Sequence, residues 1–194
     1  SNMILSWNCQ GAGSFLAIRH LREIRQKFFP GIMFLMETKN KRDYLQDLQV
    51  EFGYDFLFTV EPIGLSGGLA LFALSEFNVQ VLSSNSRVID VSATIDGNKV
   101  FISFVYGDPV INQRLHVWEQ LARISTSRSD AWFMVGDFNE INGNHEKSGG
   151  RIQSENSFLD FRFMQQNCGM IELPYSGDCM SWVGRRHNYL VKCR

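Results

Sequence analysis

The sequence predicts an α/β fold in which two mixed sheets pack on each other beneath helices, on three grounds. Helical and strand patterns alternate at both ends of the chain, and hairpin-like runs fill its centre. No linker-like or low-complexity stretch divides it, and nothing repeats at the period of about 20 to 50 residues that marks a repeat protein. With 194 residues, 44% of them hydrophobic, the chain can bury one sizeable core, so a single domain over residues 1–194 is expected. Ser1 and Asn2 ahead of Met3 read as a remnant of recombinant expression.

Residues 3–8 form a short β-type run ending in polar side chains, and residues 11–14 follow as a loop whose Ser14 is placed to cap a helix. That helix is expected over 15–28, where Leu16, His20, Leu21, Ile24 and Phe28 recur three and four apart as one buried face. Pro30-Gly31 stops it. The wholly apolar run 32–36 is a strand leading into Glu37-Thr38-Lys39, and a second helix covers 42–52 with Tyr44, Leu45 and Leu48 inward. Strands follow at 54–60, 67–73, 78–82 and 88–95, and Asp96-Gly97-Asn98 makes the hairpin turn into a strand at 100–106. A helix over 111–124 carries Leu115, Trp118, Leu121 and Ala122 on one side, and a buried strand at 131–135 ends in Gly136-Asp137-Phe138-Asn139. After a polar loop at 140–151, helical pattern resumes over 154–167 with Phe158, Phe161, Phe163 and Met164 as its apolar members. A last strand is expected at 189–193.

The net charge of −1 rules out a chain-wide basic footprint, so any affinity for nucleic acid must be local. Basic side chains gather at Lys39, Lys41 and Arg42, at Lys147 and Arg151, and at Arg185, Arg186, His187, Lys192 and Arg194; each group reads equally well as solvated surface. Cys9, Cys168, Cys179 and Cys193 show no CxxC spacing, which points to reduced thiols in an intracellular protein, nuclear or cytoplasmic. No apolar run approaches the length of about 18 residues that a membrane span requires.

Three apolar strands end in residues suited to a metal or a phosphate: Asn8, Glu37, and Asp137 with Asn139. A hard cation such as Mg²⁺ takes oxygen ligands, needs one or two carboxylates, and keeps waters and substrate phosphate in its other positions. Carboxylates and amides also terminate strands simply because they favour turns. The coincidence of three such ends, in order, is what argues for chemistry.

Ser6-Trp7-Asn8-Cys9-Gln10-Gly11, Glu37-Thr38-Lys39, Ser66-Gly67-Gly68-Leu69-Ala70, Tyr106-Gly107-Asp108-Pro109, Gly136-Asp137-Phe138-Asn139-Glu140-Ile141 and Ser181-Trp182 follow the successive motifs of the endonuclease/exonuclease/phosphatase superfamily. Their wording most closely resembles the endonuclease domains of plant LINE-type (non-LTR) retrotransposons, and so does the loop Glu146-Lys147-Ser148-Gly149-Gly150-Arg151. The resemblance implies a DNase I-like, four-layer α/β/β/α sandwich that hydrolyses a phosphodiester with Mg²⁺, or alternatively Mn²⁺. It implies Glu37 as the principal metal ligand, with Asn8 close to metal and phosphate. Asp137 would orient or deprotonate the attacking water, Asn139 would help hold it, and Tyr106 would bond a phosphate oxygen. Lys39 and Trp182 would contact substrate, although Trp182 reads equally well as a core residue. Asp108 is a turn residue or a substrate contact, and Gly67-Gly68 allows close strand packing.

Two departures qualify the resemblance. Gln10 stands where many relatives carry an Asp, and the Ser-Asp-His motif that ends the family pattern occurs nowhere in the sequence. His20, His116, His145 and His187 all lie in other contexts. The fold is therefore expected to lack its last strands, with an exposed edge open to a homodimer or to a partner that completes the sheet. The expected function is DNA nicking. The alternatives are an impaired domain retained for binding protein or nucleic acid and, less favoured, a phosphomonoesterase.

Overall fold

The computed structural model describes residues 2–186, with the side chain of Arg186 excepted, and 189–194. His187 lies outside the described residues. Two compact units emerge, Ser1–Tyr106 with Arg128–Asp137, and Gly107–Ser127 with Phe138–Arg194.

The first unit is built on two four-stranded sheets. One joins β1 (Ile4–Asn8), β2 (Ile32–Met36), β4 (Leu69–Ala73) and β3 (Phe56–Val60) in that order. The other joins β5 (Gln80–Ser84), β6 (Val88–Ile95), β7 (Asn98–Tyr106) and β8 (Trp132–Asp137). Both are mixed, because β1 runs parallel to β2 and β7 parallel to β8 while the remaining neighbours are antiparallel. The α/β class and the pair of mixed sheets expected from the sequence are both present.

β2 and β4 read as unbroken apolar runs because both of their faces are buried. Ile32, Phe34, Met36, Leu69 and Leu71 meet Ile89, Val91, Ile102 and Phe104 of the second sheet, with the rings of Phe34 and Phe104 5.2 Å apart. Met33, Leu35, Ala70 and Phe72 point the other way, into a core shared with Leu21 of α1 (Phe15–Phe28) and with Leu45, Leu48 and Phe52 of α2 (Arg42–Phe52). Ser14 caps α1 as expected, accepting from the Ala17 N–H at 3.1 Å. The buried stripe of α1 centres on Ala17 and Leu21, whereas Leu16, His20 and Phe28, expected on the buried face, are exposed.

Strand starts shift for local reasons. Gly53 adopts a left-handed conformation that ends α2, and the Tyr54 N–H closes on the Gln49 carbonyl at 3.1 Å, so β3 begins at Phe56 instead of residue 54. A 3₁₀ turn at Ser75–Phe77 and left-handed Asn78 move β5 to Gln80. The Asp96-Gly97 turn between β6 and β7 stands as expected.

In the second unit α3 (Arg114–Ser125) follows a 3₁₀ turn at Ile111–Gln113, and α4 (Leu159–Asn167) follows one at Glu155–Phe158. Trp118 of α3 and Phe161 of α4 pack with centroids 4.9 Å apart, and Phe138 joins them. The buried side of α3 is Val117, Trp118 and Leu121; Leu115 is exposed, as is Phe163 of α4. A three-stranded sheet orders β10 (Trp182–Arg186), β11 (Tyr189–Cys193) and β9 (Lys147–Ser148). Of these three strands only β11 was expected from the sequence; β9 falls in the expected polar loop, and β10 carried no strand pattern. The buried Glu146 carboxylate ties the 140–151 loop together, accepting from the Asn142 N–H at 2.6 Å and lying 3.4 Å from Arg194 Nη1. Among the described residues no helix is long and apolar enough to cross a membrane.

Candidate active site

Parallel pairing sets strand ends side by side. Asn8 closes β1 opposite Met36 of β2, with Glu37 next in the chain, and Tyr106 closes β7 opposite Asp137 of β8. The four polar side chains meet within the first unit. Asn8 Nδ2 donates to Glu37 Oε1 at 2.9 Å and to Asp137 Oδ2 at 3.2 Å, and Tyr106 Oη donates to Glu37 Oε1 at 2.9 Å. The Gln10 N–H donates to Asn8 Oδ1 at 3.3 Å, which turns the amide N–H groups toward the carboxylates. Below them the Asp137 N–H donates to the thioether of buried Met36 at 3.3 Å, a contact no sequence pattern marked.

The backbone around Glu37 is unusual. Gln10, Glu37 and Lys39 have φ of 49°, 51° and 53°, a region that costs non-glycine residues about 1–3 kcal/mol each. Neighbouring chain offsets this. The Gly11 N–H binds the Glu37 carbonyl at 2.8 Å, the Ala12 N–H binds that of Thr38 at 2.9 Å, and Thr38 and Lys39 donate to the Gly68 and Gly67 carbonyls at 3.1 and 3.0 Å. Gly68 has φ of +90°, and a Cβ there would lie 2.4 Å from Thr38 Oγ1. Gly68→Ala is therefore expected to cost roughly 1–3 kcal/mol in urea denaturation. Because the strain falls on the segment carrying Glu37, activity should drop as well; an unchanged unfolding midpoint would refute this account of Gly68.

Burial, and then the bond to Glu37, hold the Tyr106 phenol well above its ordinary range. It stays protonated and acts as a donor. Since its folded value lies above its unfolded value of about 10, its contribution to stability is complete below that pH and is lost as pH rises beyond it. Tyr106→Phe is expected to flatten the alkaline fall in stability between wild-type unfolding curves at about pH 9 and pH 11; an unaltered slope would remove Tyr106 as its source. The guanidinium of Arg87 lies 5.1 Å from the Tyr106 ring centroid, and Lys39 Nζ lies 3.8 Å from Glu37 Oε2. Cys9 is buried, its thiol pushed up to about 11 by desolvation, and it donates to the Met36 carbonyl at 3.3 Å, as a packed thiol rather than a nucleophile.

The other expected site residues belong to the second unit. Asn139 is left-handed at φ 52°, and its Nδ2 donates to the Gly107 carbonyl at 2.7 Å. Asp108 makes the turn, its Oδ1 accepting from the Val110 N–H at 2.9 Å. Trp182 opens β10, partly exposed, with its ring over Gly184. Of the histidines, His116 is an exposed member of α3, His20 packs its ring 6.3 Å from Trp7, and His145 sits in a 3₁₀ turn.

Glu37 and Asp137 both approach the single amide nitrogen of Asn8, so two carboxylates converge where a cation would relieve their repulsion. Among the described residues no three His, Cys, Asp or Glu side chains group as a metal cage. Two carboxylates suit a hard divalent cation that keeps most of its water, with Glu37 and Asp137 as the oxygen donors at hand and the Asn8 amide beside them, its Oδ1 turned to the Gln10 N–H.

No curated protein matches the sequence significantly. Among solved structures, the AP endonuclease LMAP from Leishmania major aligns at 15% identity and TM-score 0.70, over 98% of this chain and 78% of its own. An AP endonuclease from Archaeoglobus fulgidus aligns at 15% identity and TM-score 0.64, over 84% of this chain and 69% of its own. The 3′ phosphatase NExo from Neisseria, bound to a product DNA hairpin, aligns at 16% and TM-score 0.61, over 84% and 70%. These establish a shared DNase I-like fold. The endonuclease/exonuclease/phosphatase family pattern matches residues 5–190, nearly the whole chain, and the protein belongs to that family of nucleases and phosphodiesterases, whose enzymes typically use a divalent metal.

Proposed function

We propose that this chain is a Mg²⁺-dependent endonuclease that nicks DNA, of the retrotransposon type and most like the plant LINE-type enzymes. The observation that carries the proposal is the meeting of Asn8, Glu37, Tyr106 and Asp137 at 2.9–3.2 Å from four separate strand ends. Membership of the family supports it, as do the DNA products held by the Neisseria phosphatase and by a zebrafish (D. rerio) TDP2.

Glu37 and Asn8 would hold Mg²⁺, with Mn²⁺ as a substitute. When bound, the metal supplies positive charge to the phosphoryl oxygens and lowers the proton affinity of water. Asp137 orients the attacking water and accepts its proton as the new P–O bond forms and the bond to the leaving sugar oxygen breaks. Tyr106, a phenol throughout, turns its one O–H from Glu37 to a phosphate oxygen, and Asn139 helps hold the water and phosphate. Lys39 and Trp182 contact the DNA.

Supercoiled plasmid incubated with the protein is expected to become open circles with Mg²⁺ and to stay supercoiled with EDTA. Plasmid that is retained by the protein yet never nicked with either metal would overturn the nuclease reading in favour of a binding domain.

A further inference from the structure

Backbone pairing between β7 and β8 stops at Tyr106 opposite Asp137. Beyond that point residues 107–109 and 138–140 leave the ladder, although they carry the chain onward from two proposed catalytic residues and include a third, Asn139. Side chains take over the linkage. Arg114, the first residue of α3, donates from Nε to the Asp108 carbonyl at 2.9 Å, from Nη1 to Glu140 Oε2 at 2.7 Å and from Nη2 to the Pro109 carbonyl at 3.5 Å. Glu140 uses its other oxygen to accept from the Ile141 N–H at 3.1 Å. Both side chains are largely buried, at 15% and 10% exposure. The two segments also touch directly: a Cβ on Gly107 would lie 1.8 Å from the Phe138 carbonyl oxygen.

We propose that Arg114 and Glu140 are a positioning pair that sets Asn139 for catalysis; the inference rests on the nuclease reading above. Asn139, its backbone left-handed, is held by the Gly107 carbonyl, so its placement follows wherever 107–109 goes. One planar guanidinium grips that segment through two carbonyls and grips the residue after Asn139 through its carboxylate. A lysine ammonium is a point charge and cannot reproduce that fork.

The experiment measures plasmid nicking by wild type, Arg114→Lys, Glu140→Gln and Arg114→Ala, with unfolding curves for each. Wild type is expected to nick, while Arg114→Lys and Glu140→Gln lose about ten- to a hundredfold in kcat with KM within about twofold. For Arg114→Ala, added guanidinium chloride at low concentration should restore part of kcat where equimolar sodium chloride does not. Wild-type kcat in Arg114→Lys overturns the inference alone, as does a loss of activity that tracks only the unfolded fraction. An inactive wild type overturns the nuclease reading, and the inference with it.

Discussion

Glu37→Ala and Asp137→Ala are each expected to lower plasmid nicking by about 10²–10⁴-fold, the range that a positioned acid–base group contributes. The two losses have different origins. Glu37 Oε1 accepts from both Asn8 Nδ2 and Tyr106 Oη, so removing it takes away the principal metal ligand, strips the Tyr106 phenol of this acceptor and leaves Asn8 to Asp137. That second effect costs about 1–3 kcal/mol of stability. Glu37→Ala should therefore shift the Mg²⁺ requirement to higher concentration and lower the unfolding midpoint together. Asp137 meets Asn8 at the longer distance of 3.2 Å, and its N–H to Met36 is a main-chain bond that survives substitution. Asp137→Ala should cost rate with little change in metal requirement. Nicking within threefold of wild type in either variant would remove that residue from the chemistry.

Asp90→Ala is expected to destabilise the chain by about 3–5 kcal/mol in urea denaturation, the cost of stranding a buried charge. Asp90 is 2% exposed in the middle of β6. It pairs with Arg128 and accepts from Ser103 Oγ at 2.7 Å, and Ser103 in turn accepts from Trp132 Nε1 at 2.9 Å. The Arg128 guanidinium lies 4.2 Å from the Phe101 ring centroid, and its Nε is buried with no hydrogen-bond partner among the described residues. Without the Asp90 carboxylate, that cation has no counter-charge at the pair. Replacing both partners, as Asp90→Asn with Arg128→Met, should recover most of the loss, because no buried charge then remains. A single-mutant effect under about 1 kcal/mol would show the pair to be dispensable, in the range of exposed ion pairs.

Much of this arrangement was legible in the chain. The apolar runs 32–36 and 131–135 announced strands, buried in the first and only half-buried in the second, where Phe133 is exposed, and a polar residue at the end of each marked Glu37 and Asp137. Ser14 announced the start of α1 through its cap. Other features left no such trace. β10 carries two arginines and a glycine, a composition that reads as surface loop until β11 pairs with it. Leu115 and Phe163 fit a helical face by spacing and yet are exposed, because helix orientation is decided by the bulkiest contacts, Trp118 with Phe161. Met36 was read as one more apolar strand residue, although its sulfur accepts the Asp137 N–H. No pattern singled out Arg114, and Glu140 stood only as a member of the 136–141 motif.

By itself, the sequence determined the α/β class, the order of most elements and the identity of Asn8, Glu37, Asp137 and Asn139 as candidates, because burial pattern, turn residues and strand-end polarity are local properties of the chain; resemblance to the family's motifs added Tyr106. Only the tertiary structure decided that four of them meet at hydrogen-bonding distance, that Glu37 sits in a left-handed turn, and that Arg114 grips both segments beyond β7 and β8. Those facts depend on parallel pairing and on close approach between residues as far as 129 positions apart, which no local pattern encodes.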